Sequence, residues 1–157
     1  LEFFPEEGKY HADGHRDCGV CWSPAETLAH GGLCSKCGKA VTVGVLHRVE
    51  KLADRPAGTR PRTAAGFERV VPLKEILGQV LDVGPASAKV ARAYDDLLSA
   101  LGCELGILRS AGEKDLEAAG PPGLAAAVRK MREGRPDVSP GYDGVYGTVS
   151  LAGPAGR

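Results

Sequence analysis

The spacing of apolar residues predicts a helical region from residue 72 onward. Apolar positions between Leu73 and Leu81 recur at intervals of three and four, which places them on one face of a helix that begins at Pro72. A second helix carries the apolar positions from Val90 to Leu101 and ends at Gly102. Three further helices are predicted at about 103–110, 113–119 and 124–132.

The first 53 residues lack a long helical period. Residues 1–17 are polar and rich in turn residues, and they show neither a helical nor a strand pattern. β-Branched residues alternate over residues 40–46, which predicts a strand, and residues 47–53 predict a short helix that stops before Pro56. Near the other end of the chain we expect a short strand at 148–151 and a disordered tail at 152–157.

Composition places the chain among globular proteins, because 43% of its residues are hydrophobic and 25% are charged. No apolar run approaches the ~18 residues of a transmembrane helix, and no signal peptide is recognisable, so we expect a cytoplasmic location. The sequence opens with Leu1 in the middle of a pattern, and we expect it to be part of a longer protein.

Four cysteines form two pairs with the spacing C-x2-C-x12-C-x2-C. Two such turns can close a tetrahedron around one Zn²⁺, with Zn–S distances of about 2.3 Å. The alternatives are two disulfides or free thiols, but nothing indicates secretion and cytosolic thiols stay reduced. With all four positions filled, the predicted site is structural, whereas Cys103 is expected to be a small core residue. The predicted zinc ligands are Cys18, Cys21, Cys34 and Cys37.

Together these patterns predict an α+β fold that is mostly α. We expect a small zinc-ribbon module with an N-terminal extension over residues 1–53, and a basic linker rich in proline and glycine over residues 54–71. A helical domain that resembles tandem helix-hairpin-helix motifs is expected over residues 72–151. Aromatic residues make up only 5% of the chain, so a small core must depend on leucine, valine, alanine and the metal.

Basic residues are concentrated between residues 47 and 69, although the whole chain has 20 basic and 20 acidic residues. A basic stretch of this kind can contact phosphates, and a solvated linker is the equally favoured alternative. The arginines predicted to contact DNA are Arg48, Arg55, Arg60 and Arg62.

Two turns of the helical part, Gly84-Pro85 and Gly120-Pro121, are similar to each other. They resemble the helix-hairpin-helix motif, in which backbone N–H groups at a helix N-terminus face a DNA phosphate and glycine allows its close approach. Asp82 and Ala118 replace the first glycine of the motif, and ordinary corners of a helix bundle are the alternative. The residues predicted to contact DNA here are Gly84, Lys89, Gly120 and Lys130.

A loop with three glycines and two tyrosines spans residues 140–147. Tyr142 and Tyr146 are candidates for stacking on unpaired bases, and the alternative is that both rings fill the helical core. Elsewhere, His11 and His15 flank Asp13, which is a weak indication of a second metal site. The sequence has neither a P-loop nor a Gly-x-Ser-x-Gly motif.

Several long motifs together resemble the C-terminal half of the endonuclease Q family. They are Phe4–His11, Asp13–Arg16, Val43–Val49, Leu52–Pro56 and Pro140–Gly147. The resemblance implies a DNA repair hydrolase that nicks DNA on the 5′ side of deaminated bases or abasic sites. It also implies an upstream PHP catalytic domain as partner and damaged duplex DNA as substrate.

The His, Asp and Glu cluster of a PHP domain has no match in this sequence, so no catalytic residue is predicted here. The chain is therefore expected to be the DNA-binding portion of such a nuclease. The alternative is a stand-alone zinc-ribbon adaptor that binds a protein partner.

Overall fold

The computed structural model of the chain describes residues 1–152. Contacts divide these residues into two compact units, neither of which is continuous in sequence. The cysteine unit comprises Pro5–Gly66 and Val138–Val149. The helical unit comprises Leu1–Phe4, Phe67–Asp137 and the chain from Ser150.

The cysteine unit is built from short elements. Strands β1 and β2 form an antiparallel hairpin in which His15 lies opposite Val20, and β3 pairs with β4 in a second small sheet. Single-turn 3₁₀ helices cover Pro5–Glu7 and Arg16–Cys18. The other elements are β1 (Asp13–His15), β2 (Val20–Trp22), α1 (Pro24–Ala29), α2 (Val45–Leu52), β3 (Asp137–Ser139) and β4 (Thr148–Ser150). Asp137 and Ser150, the outermost residues of β3 and β4, are counted with the helical unit.

The helical unit contains five helices around an apolar core. Helix α3 packs against α4 and α7, while α6 packs against α4 and α7. The helices are α3 (Leu73–Val80), α4 (Ala88–Leu101), α5 (Glu104–Arg109), α6 (Glu113–Ala119) and α7 (Leu124–Arg132). Their fully buried side chains include Leu73, Ile76, Leu77, Val90, Leu97, Ile107, Leu116, Leu124 and Val128.

Polar side chains fix the ends of these helices. Glu104 accepts hydrogen bonds from the Leu73 N–H (2.8 Å) at the start of α3 and from the Tyr94 hydroxyl (2.9 Å) in α4. Arg132 of α7 donates to the carbonyl oxygens of Ile107 and Leu108, which belong to the last turn of α5. Carbonyls at the end of a helix lack intrahelical partners, so this arginine satisfies groups that would otherwise be left unpaired.

The predicted α+β fold is confirmed, and the five helices predicted from residue 72 onward are all present. The strand predicted at 148–151 is also present, as β4. Residues 138–149, which the sequence places with the helices, lie in the cysteine unit of the structure. The predicted disordered tail lies outside the described residues, apart from Ala152.

Three local predictions are wrong. Residues 40–46 form isolated bridges instead of a strand, because α2 begins at Val45, where its N–H donates to the Tyr10 carbonyl (2.8 Å). Residues 1–17 contain β1, which the sequence pattern did not indicate. Cys103 is exposed at the N-terminal cap of α5 and is not a core residue. No helix within residues 1–152 is long and apolar enough to cross a membrane.

Gly147 of the cysteine unit occupies a position without room for a side chain. A Cβ atom added there would lie 2.6 Å from the Gly141 nitrogen and closer still to the Glu6 carbonyl oxygen. We therefore expect Gly147→Ala to destabilise the unit by about 3 kcal/mol, since the backbone must shift. Gly66→Ala is the matched control, because the nearest atom to its added Cβ is 3.9 Å away.

Urea unfolding followed by the fluorescence of Trp22, the one tryptophan of the chain, measures this difference. Equal midpoints for Gly147→Ala and Gly66→Ala would show that the loop does not pack as described.

Candidate functional site

A tight hairpin positions His15 and Cys18. His15 ends β1, and Cys18 ends the 3₁₀ turn that follows it. Gly19 has a φ of 63° and donates its N–H to the Arg16 carbonyl (3.0 Å), so the chain turns back directly into β2. A left-handed residue of this kind is favourable only for glycine and a few polar residues. Both side chains therefore lie at the same end of the hairpin.

A second turn brings Cys34 and Cys37 together, as the sequence predicts. The Gly38 N–H donates to the Cys34 carbonyl (2.8 Å), and the Cys34 N–H donates to the Lys39 carbonyl (2.7 Å). Gly38 has a φ of 72°, which allows the chain to reverse just after the second sulfur. Cys34 is buried with Val20 and Val41, so one side of the turn is dry.

The two turns assemble one cluster of metal-ligating atoms. Its members are His15, Cys18, Cys34 and Cys37, and their ligand atoms all lie within 4.8 Å of one another. The His15 Nδ1 atom lies 3.8 Å from the Cys37 sulfur. Lys36 donates to the Cys18 carbonyl (2.6 Å), which places a positive charge beside the thiols. Three sulfurs and one imidazole nitrogen can hold a metal ion that prefers soft ligands.

Cys21 lies outside this cluster. Successive residues of a strand point to opposite faces, and in β2 Val20 is buried whereas Cys21 is exposed. The Cys21 sulfur lies 4.0 Å from the Pro140 carbonyl oxygen. The structure thus brings together three of the four predicted ligands and adds His15. The sequence carries a signal for this, because two residues separate His15 from Cys18, just as two residues separate the cysteines of each pair.

The electrostatics of the cluster favour a bound cation. The pKa of Cys18 is raised to about 11 because its thiol is hydrogen-bonded to Cys37, is desolvated and lies beside Cys34. Burial alone would raise the pKa of Cys34, but backbone N–H groups of Lys36 and Cys37 donate to its sulfur and lower it overall. Several thiolates cannot share so small a volume without a positive ion, and a divalent metal supplies that charge.

A buried carboxylate lies next to the cluster. Asp13 is fully buried, and its two oxygens are 2.6 Å from His47 Nδ1 and 2.7 Å from the Gly44 nitrogen. These contacts attach the start of α2 to β1, the strand that carries His15. Both Asp13 oxygens are therefore already paired with residues at the start of α2. Within residues 1–152, the cluster of His15 with three cysteines is the one group placed to hold a metal.

The arginines predicted to contact DNA are exposed. Arg48 lies on α2, and Arg62 lies in the segment that follows it. Arg55 forms an ion pair with Asp54 (3.2 Å), and Arg60 donates to the Ala65 carbonyl (2.6 Å). Exposed ion pairs contribute little to stability, so the Arg55 guanidinium can exchange Asp54 for another anion.

The two Gly-Pro turns differ in the room around their glycines. A Cβ atom added at Gly84 would meet nothing within 4 Å, whereas one added at Gly120 would overlap the Leu124 side chain. Gly120 is thus required by packing inside the unit, and Gly84 is not. Asp82, at the position of the first motif glycine, has a φ of 52°, which lies in the left-handed region that glycine adopts readily and aspartate tolerates.

The lysines and tyrosines of the predicted DNA surface also differ in their environment. Lys89 donates to the Leu81 carbonyl (3.4 Å), and Lys130 forms an ion pair with Asp137 (2.6 Å). Tyr142 packs directly against Gly14, whereas Tyr146 is 71% exposed. Neither ring fills the helical core, because both tyrosines belong to the cysteine unit, where Tyr142 is half-buried and Tyr146 is exposed.

His15 and Cys21 provide a direct test of the ligand set. We expect His15→Ala to lose most of the bound metal, because it removes one of four ligands, and Cys21→Ser to retain about one metal ion per chain. Elemental analysis of the two purified variants measures the difference. Normal metal content in His15→Ala, together with loss of metal in Cys21→Ser, would show that the four cysteines are the ligands.

Comparisons with known proteins agree with this architecture. The family model of the MJ0043 C-terminal domain matches residues 72–135. The chain is 27% identical to the uncharacterized protein MJ0043 of Methanocaldococcus jannaschii over 147 residues, which are 94% of this chain and 18% of that protein. It is 33% identical to the uncharacterized protein YqxK of Bacillus subtilis over 146 residues, which are 92% of this chain and 33% of that protein.

Two solved structures share the fold. The lesion-specific endonuclease PfuEndoQ from Pyrococcus furiosus superposes with a TM-score of 0.81 at 27% identity, covering 94% of this chain and 36% of the endonuclease. Endonuclease Q in complex with a 27-mer duplex carrying an abasic lesion superposes with a TM-score of 0.75, also at 27% identity, and 37% of its chain is covered. The predicted resemblance is confirmed, because the chain is similar in sequence and fold to about a third of endonuclease Q.

Proposed function

We propose that this chain is the DNA-binding portion of an endonuclease Q-like repair protein that nicks DNA 5′ of deaminated bases or abasic sites. The observation that carries the proposal is its similarity in sequence and fold to endonuclease Q, which has been solved with an abasic duplex. The chain spans about a third of that enzyme, and we assign the nicking chemistry to a PHP domain elsewhere in the parent protein. In support, a metal held by all four side chains of the cluster would have no open position for a substrate.

Zinc is the proposed metal of the cluster. A set of three thiolates and one histidine is common in four-coordinate structural zinc sites. Such an ion would be held by His15, Cys18, Cys34 and Cys37, and it would stabilise the cysteine unit without taking part in catalysis. Elemental analysis identifies the ion, and iron or copper in place of zinc would contradict the proposal.

The turn before α4 is the proposed phosphate contact. Ser87 caps this 14-residue helix by accepting the Val90 N–H, and its own N–H donates to the Gly84 carbonyl (3.0 Å). The N–H groups of Ala88 and Lys89, in the first turn, remain for an outside acceptor. Gly84 is exposed there and has no internal contact that requires a glycine. Glu75 and Asp82 line the same groove and would repel a phosphate. We therefore expect weak binding that does not depend on sequence.

A second candidate function is binding of a protein partner, as in an adaptor. Helix α2 favours it, because it contains no buried residue and exposes Val45, Val49 and Leu52 on one face. Apolar side chains exposed in this way are a common feature of protein interaction surfaces.

Salt dependence tests the DNA-binding proposal. With three to five phosphates engaged, the slope of log affinity against log salt should be about −3 to −4, because bound phosphates release counterions. Fluorescence anisotropy with a labelled duplex measures this slope. Affinity that does not change with salt, or no binding at low salt, would favour the adaptor.

Asp82→Asn and Gly84→Leu test the turn itself. Asn tolerates the left-handed backbone of Asp82 and removes one repelling charge, so Asp82→Asn should raise DNA affinity severalfold at low salt. Gly84→Leu should lower it by a similar factor, because the side chain would block a phosphate while contacting nothing internal. Replacing Arg60 and Arg62 together tests the linker separately. Parent-like affinity in all three variants would rule out both surfaces, provided that their thermal midpoints are unchanged.

The nicking chemistry has its own test. We expect the purified chain not to nick a duplex containing uracil or hypoxanthine when Mn²⁺ is supplied, because catalytic residues are assigned outside it. Mn²⁺-dependent nicking by this chain alone would contradict that assignment.

A further inference from the structure

A patch of exposed aromatic and basic side chains lies on the cysteine unit. Tyr146 is 71% exposed and Tyr10 is 47% exposed. The Lys9 ammonium lies 5.6 Å from the centre of the Tyr10 ring and 5.7 Å from the centre of the Tyr146 ring. We call this surface the tyrosine patch, and it comprises Lys9, Tyr10, Arg16 and Tyr146.

The backbone beneath the patch is firmly held. The loop of residues 140–147 donates N–H groups to the segment before β1, from Gly141 to the Glu6 carbonyl (2.8 Å) and from Gly147 to the Glu7 carbonyl (3.0 Å). Gly144 donates to the Lys9 carbonyl (2.9 Å), which connects the loop to the patch itself. Tyr146 is thus anchored on both sides while its ring remains in solvent.

The side chain of Asp143 holds the same loop against Thr42 and Arg16. Its carboxylate accepts hydrogen bonds from the Thr42 hydroxyl (2.5 Å) and the backbone N–H of Arg16 (2.8 Å). These two hydrogen bonds and the nearby positive charge of Arg16 outweigh desolvation and hold the pKa of Asp143 below its usual value. The carboxylate therefore stays charged at neutral pH and keeps the loop in place.

Arg16 adds a second cation to the patch. Its guanidinium lies 3.3 Å from the position that a Cβ atom of Gly144 would take, and the Tyr10 hydroxyl lies 3.8 Å from the same point. Its ion pair with Asp17 is long, at 3.8 Å, and both side chains are mostly exposed. A pair of this kind contributes little, so Arg16 is available to an outside anion.

The geometry points to a stacking platform for an unpaired nucleobase of DNA, an inference that rests on the proposed DNA-binding function. A base would stack on the Tyr146 ring, and Lys9 and Arg16 would contact the phosphates on either side of it. Exposed aromatic rings beside cations are the means by which proteins bind single-stranded nucleic acid without sequence preference. Tyr142 of the same loop is not available for stacking in this way, because its ring packs against Gly14.

The test compares two fluorescein-labelled duplexes of the same sequence, one fully paired and one with a single unpaired thymine. Base stacking on an aromatic ring is worth enough that Tyr146→Leu should weaken binding of the bulged duplex about tenfold. The fully paired duplex should be affected less than twofold. Tyr146→Phe, which keeps the ring, should bind both duplexes as the parent does.

Two further variants separate stacking from other effects. Lys9→Ala should weaken binding of both duplexes, because it removes a phosphate contact that does not depend on pairing. Phe67→Leu is the matched control, since Phe67 is an aromatic residue of similar exposure (60%) in the helical unit, and its loss should change neither affinity. Unchanged thermal midpoints verify that each variant is folded.

The outcomes are distinct. If Tyr146→Leu binds the bulged duplex as tightly as the parent does, the stacking platform is overturned while DNA binding stands. The same conclusion follows if Phe67→Leu causes the tenfold loss instead. If the parent chain binds neither duplex at low salt, the proposed function and the platform both fail.

Discussion

The buried carboxylate of Asp13 is the interaction on which the cysteine unit depends. One oxygen accepts the N–H at the start of α2, and the other lies against the imidazole of His47. A fully buried charge is costly unless each of its oxygens is paired, so α2 is held in one position relative to β1. Because β1 ends at His15, the same interaction fixes one wall of the candidate metal centre.

The cysteine unit needs such contacts because its apolar core is small. A core of this size provides little net stability, and small domains commonly add a metal or other crosslinks. Here backbone hydrogen bonds between the loop of residues 140–147 and the segment before β1 close the unit, and the ligand cluster closes the two cysteine turns. Its buried apolar side chains are Ala12, Val20, Cys34, Val41 and Val149.

The helical unit is stabilised in a different way. Leucine, isoleucine and valine side chains from all five helices are fully buried, and the polar contacts of Glu104 and Arg132 act at helix ends rather than in the core. A turn of this unit can therefore accept a different residue type wherever the turn does not pack against the core. Gly120 is constrained by Leu124, whereas Gly84 is exposed in a turn with room for a ligand.

The sequence by itself determined whatever depends on near neighbours in the chain. Helices from residue 72 onward follow from a local apolar period, and the Cys34–Cys37 turn follows from a glycine one residue later. The tertiary structure alone decided the rest. Pairing of β1 with β2 turns Cys21 away and brings His15 in, and packing against Gly14 uses Tyr142 while leaving Tyr146 in solvent. Each of these outcomes depends on a partner distant in sequence, and no local spacing specifies such a partner.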